Sequence, residues 1–287
     1  MAKGRELRGR IKSVENTKKI TRTMEMVATS KMKRAQDRVS AARPFATALS
    51  DVIADLYSPD LAEQYPLLRQ PAAPTKAAVL LLTTNRGLCG AFNANLLKET
   101  RVLLKRLESE GVAVEMHVVG RKGVGYFKYV GRALASQRTD LTDKPTAADA
   151  ASLVDGLMER FTTGELDAVW VVYAKFNSVL STPPTAERVL PVAPPSRKGP
   201  ARDYLLAPSA EAILGELLPL AVRNAVYRQL VETVAGEQGA RRTAMKAATD
   251  NATELLGNLR RTFNRARQAQ ITQEIAEIVG GASALSS

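Results

Sequence analysis

The residues that could do chemistry are concentrated in two glycine-containing stretches. "TTNRGLCGAFN" (83–93) follows a strand-like run and leads into a helical one, where a phosphate-binding loop would lie. It lacks the Gly-Lys-Ser/Thr ending that places a lysine on a phosphate. "GRKGVGYF" (120–127) resembles a dinucleotide loop more loosely, and no acidic residue follows in a ribose-binding context. We interpret both as tight strand-to-helix turns that need glycine, and nucleotide binding stays open as the alternative.

The remaining reactive side chains are too few for the common kinds of active site. His117 is the only histidine and Cys89 the only cysteine, so zinc sites and Cys–His nucleophile pairs are excluded. His117 lies inside a strand-like run, where we expect a buried structural residue. No Gly-x-Ser-x-Gly motif is present. The sequence therefore predicts a protein that is not an enzyme, with no catalytic residues, no cofactor and no metal.

Positive charge is concentrated in two segments of the chain, whose net charge is +12. Residues 1–43 hold 13 Lys and Arg against 4 Asp and Glu, and residues 236–267 hold 7 against 3. Such segments indicate nucleic acid, an anionic membrane or an acidic protein as partner, or simply a solvated helix face. Nucleic-acid binding by basic coiled-coil helices is the alternative function. Against it, the basic residues are interleaved through the coil instead of forking from a parallel zipper.

Two proline-rich stretches, 57–74 and 181–208, hold 11 of the 14 prolines and divide the chain into three. The division predicts a helix over 1–57, an α/β domain over 75–195 and a second helix over 208–287. No apolar run approaches the ~20 residues of a membrane span. The N-terminus lacks the apolar region of a secretory signal, and the single cysteine fits a reducing compartment. We expect a soluble intracellular protein.

The middle segment alternates strand and helix patterns. Short β-branched runs at 76–83, 112–120 and 168–176 predict buried strands, and helical runs at 93–111 and 146–164 separate them. This alternation predicts a Rossmann-like α/β domain with a mostly parallel sheet. Residues 185–192 predict an additional edge strand, because Pro191 argues against a central one.

The two outer segments predict long helices that pair with each other. Each carries apolar residues at alternating steps of four and three over about seven heptads, which predicts a left-handed coiled coil. The predicted seam runs from Leu7 to Leu56 on the first helix and from Ile213 through Leu220 and Leu255 to Leu259 on the second. The middle domain joins the top of one helix to the base of the other, so the pair must be antiparallel.

Polar residues in both seams set a register for the pair. Placing Glu25 level with Arg241, within about one turn, puts residue 1 opposite about residue 265. The helix beyond that point has no partner in its own chain, although Ile271, Ile275 and Ile278 lie on one face. The stripe must therefore be buried by another molecule.

Three motifs resemble one family over the whole length of the chain. They are "IKSVENTKKITRTMEMVATSKMKRAQDRV" near the start, "TNRGLCGAFN" in the middle, and "AMKAATDNA" with "NRARQAQITQEIAEIVGGA" near the end. The sequence resembles gamma subunits of F-type ATP synthases, in a bacterial form. The resemblance implies a rotating central shaft inside a ring of alpha and beta subunits, with the α/β domain on the epsilon subunit and the c-subunit ring. It also implies a peripheral protein at the cytoplasmic face of the plasma membrane, without direct membrane insertion and without nucleic acid.

The family's contact residues can be carried over where the motifs stand intact. The resemblance implies that Arg267 and Gln268 bond a loop of a beta subunit, with Thr272 and Glu274 as neighbouring contacts. It implies that Met24 and Arg241 lie on the coil facing the lower part of beta. Glu25, which the predicted register places level with Arg241, is a further candidate contact. Chloroplast relatives carry an inserted cysteine pair for redox control. This sequence has no second cysteine, so thiol regulation of that type is not expected.

Overall fold

The computed structural model describes residues 2–56, 65–71, 73–178, 181–193 and 209–285. Residues 57–64 and 72 of the first proline-rich stretch and residues 194–208 of the second lie outside these ranges. The helices are α1 (Ala2–Leu56), α2 (Phe92–Ser109), α3 (Arg121–Val130), α4 (Ala147–Thr162) and α5 (Ala210–Leu285). The strands are β1 (Lys76–Leu82), β2 (Ala113–Val119), β3 (Ser136–Arg138), β4 (Ala168–Ala174) and β5 (Pro184–Leu190). Two compact units form, one from residues 1–28 and 241–287 and the other from residues 29–240.

The larger unit contains one five-stranded sheet in the order β3-β2-β1-β4-β5. β1, β2, β3 and β4 are parallel, and β5 pairs antiparallel with β4 at the edge. β1 and β4 are almost fully buried, and β2 is buried over its last four residues, because helices cover both faces of the sheet. The mixed α/β fold, the mostly parallel sheet and the predicted edge strand are therefore confirmed.

The helices of the larger unit cover the two faces of the sheet. α2 and α3 contribute to one apolar cluster, and α4 with parts of α1 and α5 contributes to the other. Thr146 begins α4 with a reciprocal cap, in which its hydroxyl accepts from the Asp149 amide and the Asp149 carboxylate accepts from the Thr146 amide. This cap fixes the start of α4 at the position that the sequence predicts.

Two elements were not expected from the sequence. β3 is a short, largely exposed strand at the sheet edge that pairs only with His117–Val119. α3 occupies the stretch interpreted as a glycine turn, and it contains Gly123, whose added Cβ would lie 2.7 Å from both Thr83 Oγ1 and Val118 Cγ1. Close packing against the sheet thus explains a glycine inside a helix, where it is otherwise unfavourable.

Within each unit, α1 and α5 run antiparallel. In the smaller unit, Thr21 contacts Thr249 and Glu15 contacts Arg260. In the larger unit, Ala35 and Val39 share a cluster with Val231 and Ala235, and Leu49 and Ile53 share one with Leu214 and Leu218. Every predicted seam position of α1 from Leu7 to Leu56 is buried or partly buried.

The seam predicted for α5 is wrong at two positions. Leu220 and Leu255 are 39% and 47% exposed. The first part of α5 packs against the sheet as well as α1, so its buried row follows steps of four: Leu214, Leu218, Val222, Val226 and Leu230. In the smaller unit the buried row contains Met245 and Ala252, as predicted, together with Thr249 and Leu256, which each lie one residue past a predicted position.

Candidate partner-binding surface

The end of α5 exposes the apolar stripe that the sequence predicts. All ten residues from 271 to 280 are exposed. Ile271, Ile275 and Ile278 are exposed to 46%, 55% and 71%, and Val279 to 59%. Because adjacent steps of four and three share one face of a helix, this stripe is an apolar surface with no cover from the described residues.

The polar residues carried over from the family lie on the same exposed part of α5. Arg267, Gln268, Thr272 and Glu274 are all exposed. The Thr272 hydroxyl donates to the backbone carbonyl of Gln268 at 3.0 Å, and the side-chain Nε2 of Gln270 donates to Glu274 Oε1 at 2.9 Å. These contacts are local to the helix, and neither of them involves the exposed Arg267. Their role toward a partner stays a prediction.

The coil residues of the predicted site are less accessible. Met24 and Glu25 are partly buried, and Arg241 is only 8% exposed. Because Thr21 lies across from Thr249, the position opposite Glu25 is near residue 245, and Arg241 lies four residues away, about 6 Å along the helix. The expected register of about one turn is therefore confirmed. The burial of Arg241 leaves little of its side chain for a partner, so its contact role stays a prediction.

Three exposed apolar residues on α1 were missed by the sequence reasoning. Ile20, Met26 and Val27 are exposed to 59%, 59% and 49%, and all three lie off the seam of the smaller unit. The signal was available, because a large apolar residue outside the four-three pattern of a coil is expected to face solvent or a partner. They form a second exposed apolar group on α1, separate from the stripe at the end of α5, because Thr21 beside them lies across from Thr249.

The glycine stretch 120–127 does not form an open phosphate site. At the start of α3, the Arg121 amide donates to Asn85 Oδ1, the Lys122 amide to the Thr84 carbonyl, and the Gly123 amide to Thr83 Oγ1. A phosphate bound at a helix N-terminus needs these amides free. The loop is closed by the protein's own polar groups, which supports the interpretation as a tight turn.

His117 is a buried structural residue, as the sequence indicates. Its Nδ1 lies 2.7 Å from Ser136 Oγ, and its Nε2 lies 3.7 Å from Glu115 Oε2. Burial lowers the pKa of His117, although the Glu115 carboxylate opposes that shift. Glu115 is held by Arg160 through two bonds of 2.8 Å, which lower the pKa of Glu115. The pair is a structural link between β2 and α4.

Across the described residues, no group of three or more His, Cys, Asp and Glu side chains could hold a metal ion. Among the same residues, no helix is both long and apolar enough to span a membrane.

Comparison with known proteins assigns the chain to a family. Residues 3–285 match the ATP synthase family. The chain is 70% identical over 288 residues to the ATP synthase gamma chain of Gemmatimonas aurantiaca, covering 99% of each. The chain belongs to the ATP synthase gamma chain family. A gamma chain from Frankia casuarinae is 43% identical, with 99% of this chain and 98% of the relative covered.

Solved structures of ATP synthases contain chains with the same fold. A chain of the Euglena gracilis mitochondrial ATP synthase superposes with a TM-score of 0.70 at 19% identity, covering 99% of this chain and 95% of that one. A chain from the central stalk and c-ring of the Tetrahymena thermophila enzyme gives a TM-score of 0.62 at 24% identity, covering 80% and 99%. At such identities the likeness concerns the fold. It confirms the pairing of long terminal helices with an α/β domain. The alternative of nucleic-acid binding receives no support from the gamma chain relatives.

Proposed function

We propose that this chain is the central rotor shaft of an F-type ATP synthase. In this role it couples ion-driven rotation of the membrane c-ring to ATP synthesis or hydrolysis in the ring of alpha and beta subunits. The observation that carries the proposal is the exposed stripe of Ile271, Ile275 and Ile278 on a chain of the gamma family. Burying each isoleucine would contribute roughly 1.5–3 kcal/mol. A sleeve of alpha and beta subunits supplies that burial.

The polar lead-in to the stripe supports a beta subunit as the direct contact. Arg265 and Arg267 are exposed cations and Gln268 an exposed amide just before the stripe. A guanidinium binds carboxylates through directional paired bonds, so acidic loops of beta fit this segment. The α/β domain sits on the epsilon subunit and the c-ring. The complex lies at the cytoplasmic face of the bacterial plasma membrane, and this chain stays peripheral to it.

The coupling follows from symmetry. One shaft inside a threefold ring cannot contact three beta subunits alike. Each orientation therefore stabilises a different set of open and closed catalytic sites, which is a coupling by differential binding. In this role the chain is a non-catalytic subunit, because the nucleotide chemistry belongs to the surrounding ring.

Assembly with alpha and beta subunits tests the proposal. The chain is co-expressed with alpha and tagged beta, and ATP hydrolysis by the purified complex is measured with and without it. Serine at Ile271, Ile275 and Ile278 should weaken assembly by about tenfold or more per residue, since 1.4 kcal/mol is a factor of ten. Deleting residues 271–287 should weaken assembly while leaving some coupled hydrolysis. A serine variant that assembles as tightly as the parent would contradict the proposal.

The polar contacts are tested separately from the stripe. Arg267→Ala with Gln268→Ala should lower coupled ATP hydrolysis without changing the stability of the free chain, because both side chains are exposed. Arg101→Ala with Gln137→Ala matches the chemistry on exposed positions of the α/β domain and serves as control. If the two double variants lowered ATP hydrolysis equally, Arg267 and Gln268 would have no specific role in contacting beta.

A further inference from the structure

A series of charged and hydroxyl side chains connects α5 to the sheet at the end of β4. The Tyr173 hydroxyl donates to Glu187 Oε2 at 2.6 Å, and Arg228 Nη2 donates to Glu187 Oε1 at 3.2 Å. On α5, Arg228 Nη1 lies 4.0 Å from Glu232 Oε1. These four residues, the junction network, link β4, β5 and α5 within the larger unit.

The network also completes the hydrogen bonding of β4. The neighbouring strand β1 pairs with β4 only as far as Val172. Beyond it, the Phe176 amide donates to Glu232 Oε2 at 3.0 Å, and the Ala174 amide donates to Thr233 Oγ1 at 3.4 Å. Side chains of α5 thus take the place of a strand neighbour, so the helix is bonded to the backbone of the sheet as well as to its side chains.

Burial makes this connection sensitive to geometry. Tyr173 is fully buried, and Glu232 and Thr233 are 4% and 5% exposed. Burial, with the nearby Glu187 carboxylate, raises the pKa of Tyr173, which keeps its hydroxyl a donor. A buried carboxylate is costly unless its bonds are made, so the network holds α5 in one position and orientation.

The apolar packing at the same place is equally close. A Cβ added to Gly236 would lie 3.1 Å from a Phe92 ring atom and 3.3 Å from the Ala174 Cβ. α5 therefore approaches β4 and α2 as closely as a backbone can. Apolar contact alone is non-directional, whereas hydrogen bonds require a set distance and angle. A junction that must resist twisting therefore needs hydrogen bonds in addition to apolar contacts.

We propose that the junction network is the point at which torque passes between the α/β domain and α5, with Glu232 as its central residue. Glu232 accepts from the Phe176 amide, just beyond β4, and lies beside the Arg228 guanidinium. Its loss breaks the Phe176 bond and leaves Arg228 to hold Glu187 without its second carboxylate. The inference rests on the proposed rotor function and assigns these residues the task of keeping helix and domain turning together.

A second ion pair on α5 provides a matched comparison. Arg223 Nε and Nη2 bind Asp155 of α4 at 2.7 and 3.1 Å, but the two side chains are 43% and 44% exposed. Water competes for an exposed pair, which contributes little. Arg223→Met should therefore leave torque transmission unchanged, although it removes a two-bond link from the same helix.

The experiment uses the complete membrane complex containing this chain, in inverted vesicles. ATP hydrolysis and ATP-driven ion uptake are measured together, for the parent, Glu232→Leu, Glu232→Gln and Arg223→Met. In Glu232→Leu, hydrolysis should stay close to that of the parent, while ion uptake per ATP should fall by at least about fivefold, the lower range of a coupling between sites. Glu232→Gln keeps an oxygen to accept from Phe176 and should restore most of the ratio.

Two outcomes would overturn the inference: an unchanged uptake ratio in an assembled Glu232→Leu complex, or an equal fall in Arg223→Met. If Glu232→Leu does not assemble, Tyr173→Phe removes only one hydroxyl and should still lower the ratio, and an unchanged ratio there also overturns the inference. Failure of the rotor function itself looks different, because the parent chain would then fail to assemble or to change hydrolysis.

Discussion

Thr21 of α1 and Thr249 of α5 form a hydrogen bond of 2.8 Å between their hydroxyls across the buried seam of the coil. Each hydroxyl also lies near a carbonyl of its own helix, Lys18 for Thr21 at 3.1 Å and Met245 for Thr249 at 2.8 Å. A hydroxyl has one hydrogen, so one threonine donates across the seam and the other donates to its own helix. A single polar pair of this kind sets the register of a coil.

We predict that the two threonines are energetically coupled. Thr21→Val or Thr249→Val alone should lower the free energy of unfolding by about 1 kcal/mol, because the bond across the seam is lost and the remaining buried hydroxyl bonds only its own helix. The double variant should cost less than the two single changes together, since both polar groups are then gone. Urea unfolding of the purified chain measures this cycle, and strictly additive effects would show that the pair does not set the register.

Substitutions at the end of α5 should separate binding from folding. Ile271→Ser should change the free energy of unfolding of the free chain by less than about 0.5 kcal/mol, because the side chain is already exposed. Leu256→Ala, at a position that is 5% exposed in the same unit, should cost about 2–5 kcal/mol. Thermal and urea unfolding check both, and a large loss for Ile271→Ser would mean that the stripe packs within the chain.

The Lys31–Asp143 pair should make the larger unit acid-sensitive. Lys31 Nζ lies 2.6 Å from Asp143 Oδ2, and this bond lowers the pKa of Asp143. A lowered carboxyl pKa stabilises the fold above the unfolded value, near pH 4, and that contribution is lost as the pH falls through the lower folded pKa. Asp143→Asn should remove less than about 1 kcal/mol at neutral pH.

The difference between Asp143→Asn and the parent should therefore shrink as the pH is lowered from about 5 toward 3. Unfolding curves over that range measure it, and raised salt should reduce it at neutral pH as well. A difference that is constant with pH would show that the variant acts by packing instead of charge.

His117 should contribute a second pH dependence in a different window. Burial lowers its pKa below the ordinary value of 6.5. The unfolded chain then takes up the proton first, so stability is complete above about pH 6.5 and declines below it until the folded pKa is reached. His117→Gln should flatten the profile between pH 7 and 5. Urea midpoints across that range test it, and an unaltered profile would assign the decline to other groups.

Much of the fold follows from local pattern, and the exceptions have physical causes. β1, β2 and β4 are buried on both faces, so their apolar runs identify them. β3 is exposed and short, and its pairing with β2 leaves no periodic signal. α3 contains Gly123, whose role depends on Thr83 and Val118 from other elements. Sequence patterns indicate which secondary structure a segment prefers, whereas contacts of this kind form only when distant segments come together in the folded chain.

The isoleucine stripe at the end of α5 could be predicted from the sequence, because it does not pack against the other elements that the structure describes. The isoleucine stripe follows from helical spacing plus the register of the coil, and the structure exposes it. The junction network was not predictable, because Tyr173, Arg228 and Glu232 meet only when α5 packs beside β4. The sequence wrongly placed Leu220 in the buried seam for a related reason. The first part of α5 packs against both the sheet and α1, whereas the coiled-coil pattern describes packing against α1 alone.

The closed loop at the start of α3 limits what this domain could become through mutation. Its amides already bond Asn85, Thr84 and Thr83. An open phosphate cradle would require these acceptors to be displaced together, and loss of the Thr83 hydroxyl alone would leave the buried Gly123 amide unsatisfied before any ligand replaced it. A descendant of this chain would thus pass through a less stable intermediate to acquire nucleotide binding. The domain has a Rossmann-like topology, but the hydrogen bonds at the start of α3 oppose the evolution of nucleotide binding there.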